Sequence, residues 1–147
     1  LLFFGGIALT VDGDEVKLNE RLTYKGAMLE GVPNLAFAIG YTNASWTLKA
    51  DLTCDYVTKL LNHMHNQGLR QCEAGGTDAE ATDATVFGLD SGYINRAKDR
   101  LPRQGTTFPW QVKMSYIADY RALKLKGIHD DVLKFSNPIP SKAKVNV

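Results

Sequence analysis

The chain has 147 residues, of which 44% are hydrophobic and 22% charged, and its formal net charge at pH 7 is +1. These values are typical of a soluble globular domain with its own core and exclude a largely disordered chain. The near-neutral charge gives no reason to expect nucleic acid or an anionic membrane as a partner. No apolar run approaches the ~20 residues that a membrane-spanning helix needs.

The first thirty residues predict short strands. Asp12-Gly13 lies between two apolar runs in residues 7–18, which is a strong signal for a β-hairpin. Residues 22–29 (LTYKGAML) predict one strand with a bend at Gly26. Two cysteines, Cys54 and Cys72, are too few for a disulfide framework, so we expect reduced thiols in a cytoplasmic protein.

A strand, a turn and a helix are predicted next. Residues 35–39 (LAFAI) form a short apolar run, which predicts a buried strand. The stretch 40–49 (GYTNASWTLK) is rich in small and hydrogen-bonding residues. A helix then runs from about Trp46 to Asn66, and Gly68 is suited to the position just past its end. The side chains of its apolar stripe are Leu52, Tyr56, Val57, Leu60, Leu61 and Met64.

The turn at residues 40–49 is the candidate site. In an open α/β sheet this arrangement places a helix N-terminus at the carboxyl end of a strand, where ligands bind. Unpaired backbone N–H groups and the positive end of the helix dipole then face the ligand. The alternative is an ordinary connection, capped by Ser45, that binds nothing.

The second half of the chain changes character. Residues 73–85 (EAGGTDAEATDAT) are small and acidic, so we expect an acidic flexible loop over 71–90 between two parts, 1–70 and 91–147. Helical spacing predicts short helices at 92–101, capped by Ser91, and at 114–126. Residues 133–135 are expected to form either a last strand or a docked segment, and an irregular tail is expected from Pro138.

Residue chemistry alone gives no catalytic group and no metal site. His63 and His65 are two apart on a helix and point in different directions. His129-Asp130-Asp131 is best read as a capped turn. The C-terminal basic residues are either solvated or part of a surface for a phosphate-bearing cofactor or an acidic neighbouring domain; they are Arg96, Lys98, Arg100, Arg103, Lys113, Arg121, Lys124 and Lys126.

One long block carries a resemblance. The sequence YKGAMLEGVPNLAFAIGYTNASWTLKADL, followed by YVTKLLNHM, closely resembles the C-terminal part of flavin-containing monooxygenases of the Baeyer–Villiger type. It is most similar to the branch that includes the ethionamide-activating enzymes. The likeness continues more loosely through GYINRAKDRLPRQG and PWQVKMSYIADYRALKLKG, and it is weakest in the acidic loop and the last ten residues.

The resemblance implies a fold and a chemistry. The family has two dinucleotide-binding domains, binds FAD, takes hydride from NADPH and uses O2 to oxygenate a ketone, sulfur or nitrogen. This chain would be the C-terminal part of the Rossmann-like FAD domain with a small helical extension: α/β overall, α+β as an isolated piece. The implied cofactor-binding residues are Asn43, Ser45, Trp46, Thr47 and Leu48, with the backbone at Trp46 and Thr47 facing the pyrimidine side of the flavin.

The same resemblance says what the chain lacks. The glycine-rich phosphate-binding motifs and the active-site residues of the family are absent, so we expect the piece alone to be inactive and to meet partner domains. An apolar start at residues 1–4 is expected to be covered by self-association. The alternatives are a non-catalytic interaction module and a flavin reductase-like or N-hydroxylating relative.

Overall fold

A computed structural model describes residues 2–75, 79–87 and 92–139. One long helix, α1, packs against pairs of short strands and a C-terminal helical segment. The strands are β1 (Thr10–Val11), β2 (Asp14–Glu15), β3 (Thr23–Tyr24), β4 (Met28–Leu29), β5 (Gln71–Ala74), β6 (Ala81–Thr85), β7 (Arg103–Gly105) and β8 (Leu133–Ser136). The helices are α1 (Trp46–Asn66), α2 (Gly92–Asn95) and α3 (Tyr116–Asp119), with 3₁₀ turns at Phe3–Gly6, Leu18–Glu20 and Lys98–Arg100.

The predicted hairpin at Asp12-Gly13 is confirmed. β1 and β2 pair antiparallel, with Val11 opposite Asp14. Asp12 and Gly13 have φ values of 54° and 96°, the left-handed values that a two-residue turn of type I′ requires at both positions. The strands are shorter than the apolar runs that flank the turn.

Residues 22–29 form a hairpin, so the prediction of one bent strand is wrong. β3 pairs antiparallel with β4, and Tyr24 lies opposite Met28. The chain reverses at Lys25 and Gly26, whose φ values are 51° and 63°. All four strand residues are buried. Both faces of the hairpin are therefore covered by the rest of the chain.

The buried strand predicted at residues 35–39 is also wrong. The segment is extended, but it pairs only through a bridge between Ala36 and Met28 and a hydrogen bond from the Phe37 N–H to the Ala27 carbonyl. Of its residues only Ile39 is buried. Among the described residues, no strand pairs along the length of segment 35–39. The segment lies at an edge, beside the very short strand β4.

Helix α1 has the predicted bounds, Trp46–Asn66. Leu52, Tyr56 and Leu60 of its apolar stripe are buried, while Leu61 at the margin is exposed. Gly68 lies two residues past the end of the helix and has a φ of 62°. The Gly68 N–H bonds the His65 carbonyl at 3.2 Å and the Leu69 N–H bonds the Met64 carbonyl at 2.8 Å, which together form a Schellman motif.

The loop expected over residues 71–90 contains two strands. β5 pairs antiparallel with β8, which confirms the last predicted strand, and β6 pairs antiparallel with β7. Small and acidic side chains suit these strands because much of β6 is exposed. Residues 76–78 and 88–90 lie outside the described ranges, and the proposed domain boundaries stay a prediction.

The C-terminal helices are shorter than their patterns predict. Only α2 and one 3₁₀ turn form within 92–101, and the predicted cap Ser91 lies outside the described residues. The helix expected at 114–126 starts as α3 and continues as a π-helical segment, Tyr120–Leu125. Leu123 of its apolar face is buried, whereas Ile117 is exposed.

The main core lies between α1, the β3–β4 hairpin, β5, β8 and the π-helical segment. Its buried members include Tyr24, Tyr56 and Leu123, and Trp110 packs edge-on against Tyr24 at 5.9 Å between ring centroids. The large ring of Trp110 therefore anchors its segment in the main core. The fold of the described residues mixes helix and strand, and every pair of named strands is antiparallel, as α+β predicts for an isolated piece.

The aromatic start of the chain belongs to a second core cluster. Phe3 is buried with Ile39, Val86 and Leu101, and Phe4 packs beside it. The predicted exposed apolar patch at residues 1–4 is therefore wrong for its described part, except for Leu2, which is exposed. Among the described residues, no helix has the length and apolar character needed to cross a membrane.

Candidate functional site

The seven residues 42–48 form one continuous exposed segment at the start of α1, called here the exposed turn. All five of the predicted cofactor-binding residues lie in it, and all are exposed; they are Asn43, Ser45, Trp46, Thr47 and Leu48. Trp46 is 53% exposed, which is far more than core packing leaves to a tryptophan. The structure therefore brings the predicted residues together on one accessible surface.

The N-terminus of α1 is uncapped. Ser45 occupies the N-cap position, but among residues 45–49, all of them described, its side chain makes no hydrogen bond to the helix backbone. Its hydroxyl lies instead 3.0 Å from that of Thr47. The first N–H groups of a helix have no partners within its i→i−4 ladder. The Leu48 N–H bonds the Ser45 carbonyl at 3.3 Å, so the first turn of α1 presents the N–H groups of Trp46 and Thr47 and the positive end of the dipole to solvent.

Gly40 allows Trp46 to fold back over the chain. A Cβ atom built at Gly40 would lie 2.0 Å from Cδ2 of the Trp46 ring. No side chain other than glycine fits there with the indole in this position. The indole thus lies against the backbone at Gly40, just before the exposed turn, while about half of the residue is exposed.

The exposed turn is held at both ends by one carboxylate. Tyr41, just before it, donates a hydrogen bond from its hydroxyl to Oδ2 of Asp119 at 2.8 Å. Lys49, just after it, donates from Nζ to the same oxygen, also at 2.8 Å. Asp119 is the last residue of α3, so the C-terminal segment fixes both ends of the turn.

Charge in this anchor is balanced. The Lys49 side chain is 0% exposed and that of Asp119 is 10% exposed, and a buried cation requires such a partner. Lys49 Nζ also lies 5.2 Å from the centre of the Tyr41 ring. Burial, followed by the hydrogen bond to Asp119, raises the pKa of the Tyr41 hydroxyl, so this group remains a donor at neutral pH.

A second buried polar cluster lies in the main core. Tyr24 donates to Oδ2 of Asp130 at 2.6 Å, and its hydroxyl lies 3.1 Å from that of Tyr56. Lys25 Nζ is 3.4 Å from the same Asp130 oxygen. Burial lowers the pKa of Lys25 despite the attraction of Asp130. Asp130 also accepts from the N–H groups of residues 132 and 133, which confirms the capped turn predicted there.

Three of the predicted basic residues line a cavity of about 280 Å³ beside Asp119: Lys113, Arg121 and Lys126. Lys25 and Phe108 complete part of its wall. The cavity borders the anchor of the exposed turn rather than the turn itself. In the described ranges, no group of three or more His, Cys, Asp or Glu side chains is placed to hold a metal ion.

Flavin is the group that the resemblance implies, and the exposed turn fits it chemically. An electron-rich ring edge needs hydrogen-bond donors and positive potential, which an uncapped helix N-terminus offers. A planar ring also needs an accessible face, and residues 42–48 are all exposed. Carboxylate side chains are absent from these seven described residues, so no negative charge in the turn opposes the ligand.

Comparisons with known proteins agree with the resemblance. The chain is 42% identical over 143 residues to the FAD-containing monooxygenase EthA of Mycobacterium tuberculosis, covering 95% of this chain and 29% of that protein. It is 47% identical over 133 residues to the putative FAD-containing monooxygenase MymA of the same organism, covering 90% and 27%. It is 46% identical over 132 residues to the probable FAD-binding monooxygenase AlmA of Acinetobacter baylyi, covering 89% and 26%.

The chain is therefore similar to a part of each of three proteins whose names describe FAD-containing or FAD-binding monooxygenases. The resemblance drawn from its central block is thereby confirmed. The chain spans less than a third of the length of these relatives. No family model matches it, and no solved structure matches it.

Sequence analysis missed the anchor of the site. Tyr41, Lys49 and Asp119 were not singled out, although a signal for Lys49 was present. Lys49 lies three residues before Leu52 and seven before Tyr56, so it continues the buried stripe of α1 toward the N-terminus. A lysine on a buried stripe requires a buried carboxylate, but the sequence does not say which one.

Proposed function

We propose that this chain forms the C-terminal part of an FAD- and NADPH-dependent monooxygenase of the Baeyer–Villiger type. The enzyme would place one oxygen atom from O2 next to a ketone carbonyl, or on sulfur or nitrogen. The observation that carries the proposal is the exposed, uncapped start of α1. It lies in a chain 42–47% identical to proteins named FAD-containing monooxygenases.

The exposed turn would meet the pyrimidine edge of the flavin. The backbone N–H groups of Trp46 and Thr47 would stabilise the negative charge that this edge carries when the ring is reduced. Asn43, Ser45 and Leu48 would contact the cofactor around them. When bound, FAD would supply the redox chemistry by taking hydride from NADPH and passing electrons to O2.

The rest of the enzyme would come from residues outside this chain. In this proposal the 147 residues complete a Rossmann-like FAD domain, and the phosphate-binding loops, the NADPH site and the catalytic groups lie in partner domains. The chain by itself would then be inactive. A cytoplasmic location belongs to the same proposal.

The test is to express the complete coding sequence and to measure flavin absorbance and NADPH oxidation with and without a ketone or a sulfide. The proposal predicts a yellow protein and an oxygenated product. A colourless protein without ketone- or sulfide-dependent NADPH oxidation would contradict it and favour the non-catalytic interaction module. NADPH oxidation without oxygenated product would indicate a flavin reductase-like relative.

A paired variant test would locate the cofactor contact. Ser45→Asp adds a negative charge beside the proposed flavin edge, and Asn62→Asp adds the same charge on the exposed side of α1, far from its start. We expect weaker FAD binding from the first variant and unchanged binding from the second. Equal effects of the two would show that the exposed turn is not the contact.

A further inference from the structure

The anchor of the exposed turn depends on one acceptor atom. A single oxygen atom, Oδ2 of Asp119, accepts hydrogen bonds from both Tyr41 and Lys49. These two residues are the immediate neighbours of the exposed turn on either side. One atom from a helix about 70 residues further along the chain therefore closes the loop that contains every predicted flavin contact.

Little else holds the turn in shape. All residues from 42 to 48 are exposed. The contacts found within it are local: the hydroxyls of Ser45 and Thr47 at 3.0 Å, the Trp46 ring over Gly40, and, where α1 begins, the Leu48 N–H on the Ser45 carbonyl at 3.3 Å. By contrast, Tyr41, Lys49 and Asp119 are all buried. The anchor is therefore rigid, whereas the turn between its two ends has few constraints.

We propose that Asp119 is a positioning residue for FAD. Its carboxylate would hold the exposed turn in the conformation that presents the first N–H groups of α1 to the flavin, and the C-terminal segment would thereby control cofactor affinity. This inference rests on the proposed function. A preformed turn binds more tightly because the ordering of the segment is complete before the ligand arrives.

The chain supplies a matched control in Asp130. It too is a carboxylate that accepts from a buried tyrosine hydroxyl and pairs with a buried lysine, Lys25. It lies at the edge of the main core, with its side chain 26% exposed, and makes no described contact with residues 42–48. Asp119→Asn and Asp130→Asn thus remove the same charge from the same kinds of hydrogen-bond partner, and only the first should alter the exposed turn.

The experiment combines amide hydrogen exchange on this chain with FAD titration of the complete protein. Asp119→Asn should speed exchange of the Leu48 amide, which bonds the Ser45 carbonyl, about tenfold or more and weaken FAD binding by a similar factor. Asp130→Asn should lower the midpoint of thermal unfolding without either effect. Asp119→Glu should recover part of the FAD affinity.

A second variant covers the case in which Asp119→Asn fails to fold. Tyr41→Phe removes one hydroxyl and leaves the Lys49–Asp119 pair, and it should produce the same two changes at about threefold to tenfold. Equal exchange of the Leu48 amide in the Asp119 and Asp130 variants would overturn the inference. Wild-type FAD affinity in both Asp119→Asn and Tyr41→Phe would also overturn the inference about Asp119, and it would leave the proposed function standing. A wild-type complete protein that takes up no flavin would overturn both.

Discussion

The two ends of α1 are built in opposite ways. At the C-terminus, Gly68 and Leu69 donate to the carbonyls of His65 and Met64, so the chain itself satisfies the last turn. At the N-terminus, Ser45 leaves the first turn uncapped and residues 42–48 are exposed. We call the C-terminus the closed end, because its backbone groups are capped, and the N-terminus the open end, because its first N–H groups face solvent. The open end is the one that we propose meets flavin. The open end depends on a distant carboxylate, whereas the two capping bonds of the closed end join neighbouring residues, with the distant Asn137 donating in addition to the Gly68 carbonyl.

The largest effect should come from breaking the anchor of the open end. Lys49→Ala removes a cation that is 0% exposed and should destabilise the chain by about 3–5 kcal/mol, because Asp119 loses its charged partner. Urea unfolding measures the loss. The double variant Lys49→Met/Asp119→Leu should recover most of it. A loss below about 1 kcal/mol, the value of an exposed pair, would contradict the burial of this anchor.

The next effect concerns the two cysteines and pH. Burial raises the pKa of the Cys72 thiol from 9.0 to about 11, whereas Cys54 is exposed. Between these values the unfolded thiol loses its proton and the folded one keeps it, so stability present below pH 9 is lost as pH rises toward 11. Between pH 9 and pH 11 the free energy of unfolding of the wild type should fall by about 2 kcal/mol more than that of Cys72→Ala. Cys54→Ala is the control and should behave like the wild type.

A smaller effect is expected at the closed end. Gly68 has a φ of 62°, which costs a residue with a Cβ about 1 kcal/mol. Gly68→Ala should reduce the free energy of unfolding by that amount and leave FAD binding of the complete protein unchanged. Gly68→Asn should cost less, because asparagine tolerates this conformation. A loss of FAD affinity in either variant would break the distinction between the two ends.

The smallest effect has the opposite sign. Ser45→Asp places a carboxylate at the N-cap of α1 and should stabilise the isolated chain by about 0.5–1 kcal/mol, through a cap and the helix dipole. The same change should weaken FAD binding, as proposed above. The variant would then raise the free energy of unfolding and lower the affinity for FAD. A turn that does not contact the cofactor would not produce this combination. A destabilised chain would show that the first turn already has partners.

Local features of this fold are readable from the sequence. The stripe of α1 and Gly68 define the helix, and Asp12-Gly13 defines a hairpin, since neighbouring residues determine these elements. Pairing over long distances was not readable. The partners of β5 and β6 lie far along the chain, so an acidic stretch suggested a loop, and the apolar run at 35–39 suggested a strand that has too little to pair with.

The candidate site divides in the same way. Its contact residues could be named because the block 40–49 carries both helix-start chemistry and the family resemblance. Its anchor could not, because Asp119 meets Tyr41 and Lys49 only in the folded chain. The buried stripe of α1 indicates that Lys49 needs an acidic partner, and sixteen acidic residues are present in the sequence.

Hydrogen exchange of the complete protein with and without FAD tests the central claim most directly. If the open end of α1 binds the flavin edge, FAD should slow exchange of the Trp46 and Thr47 amides about tenfold or more. The amides of Gly68 and Leu69 at the closed end should exchange at the same rate in both states. Bound FAD with no added protection at Trp46 and Thr47 would contradict the account.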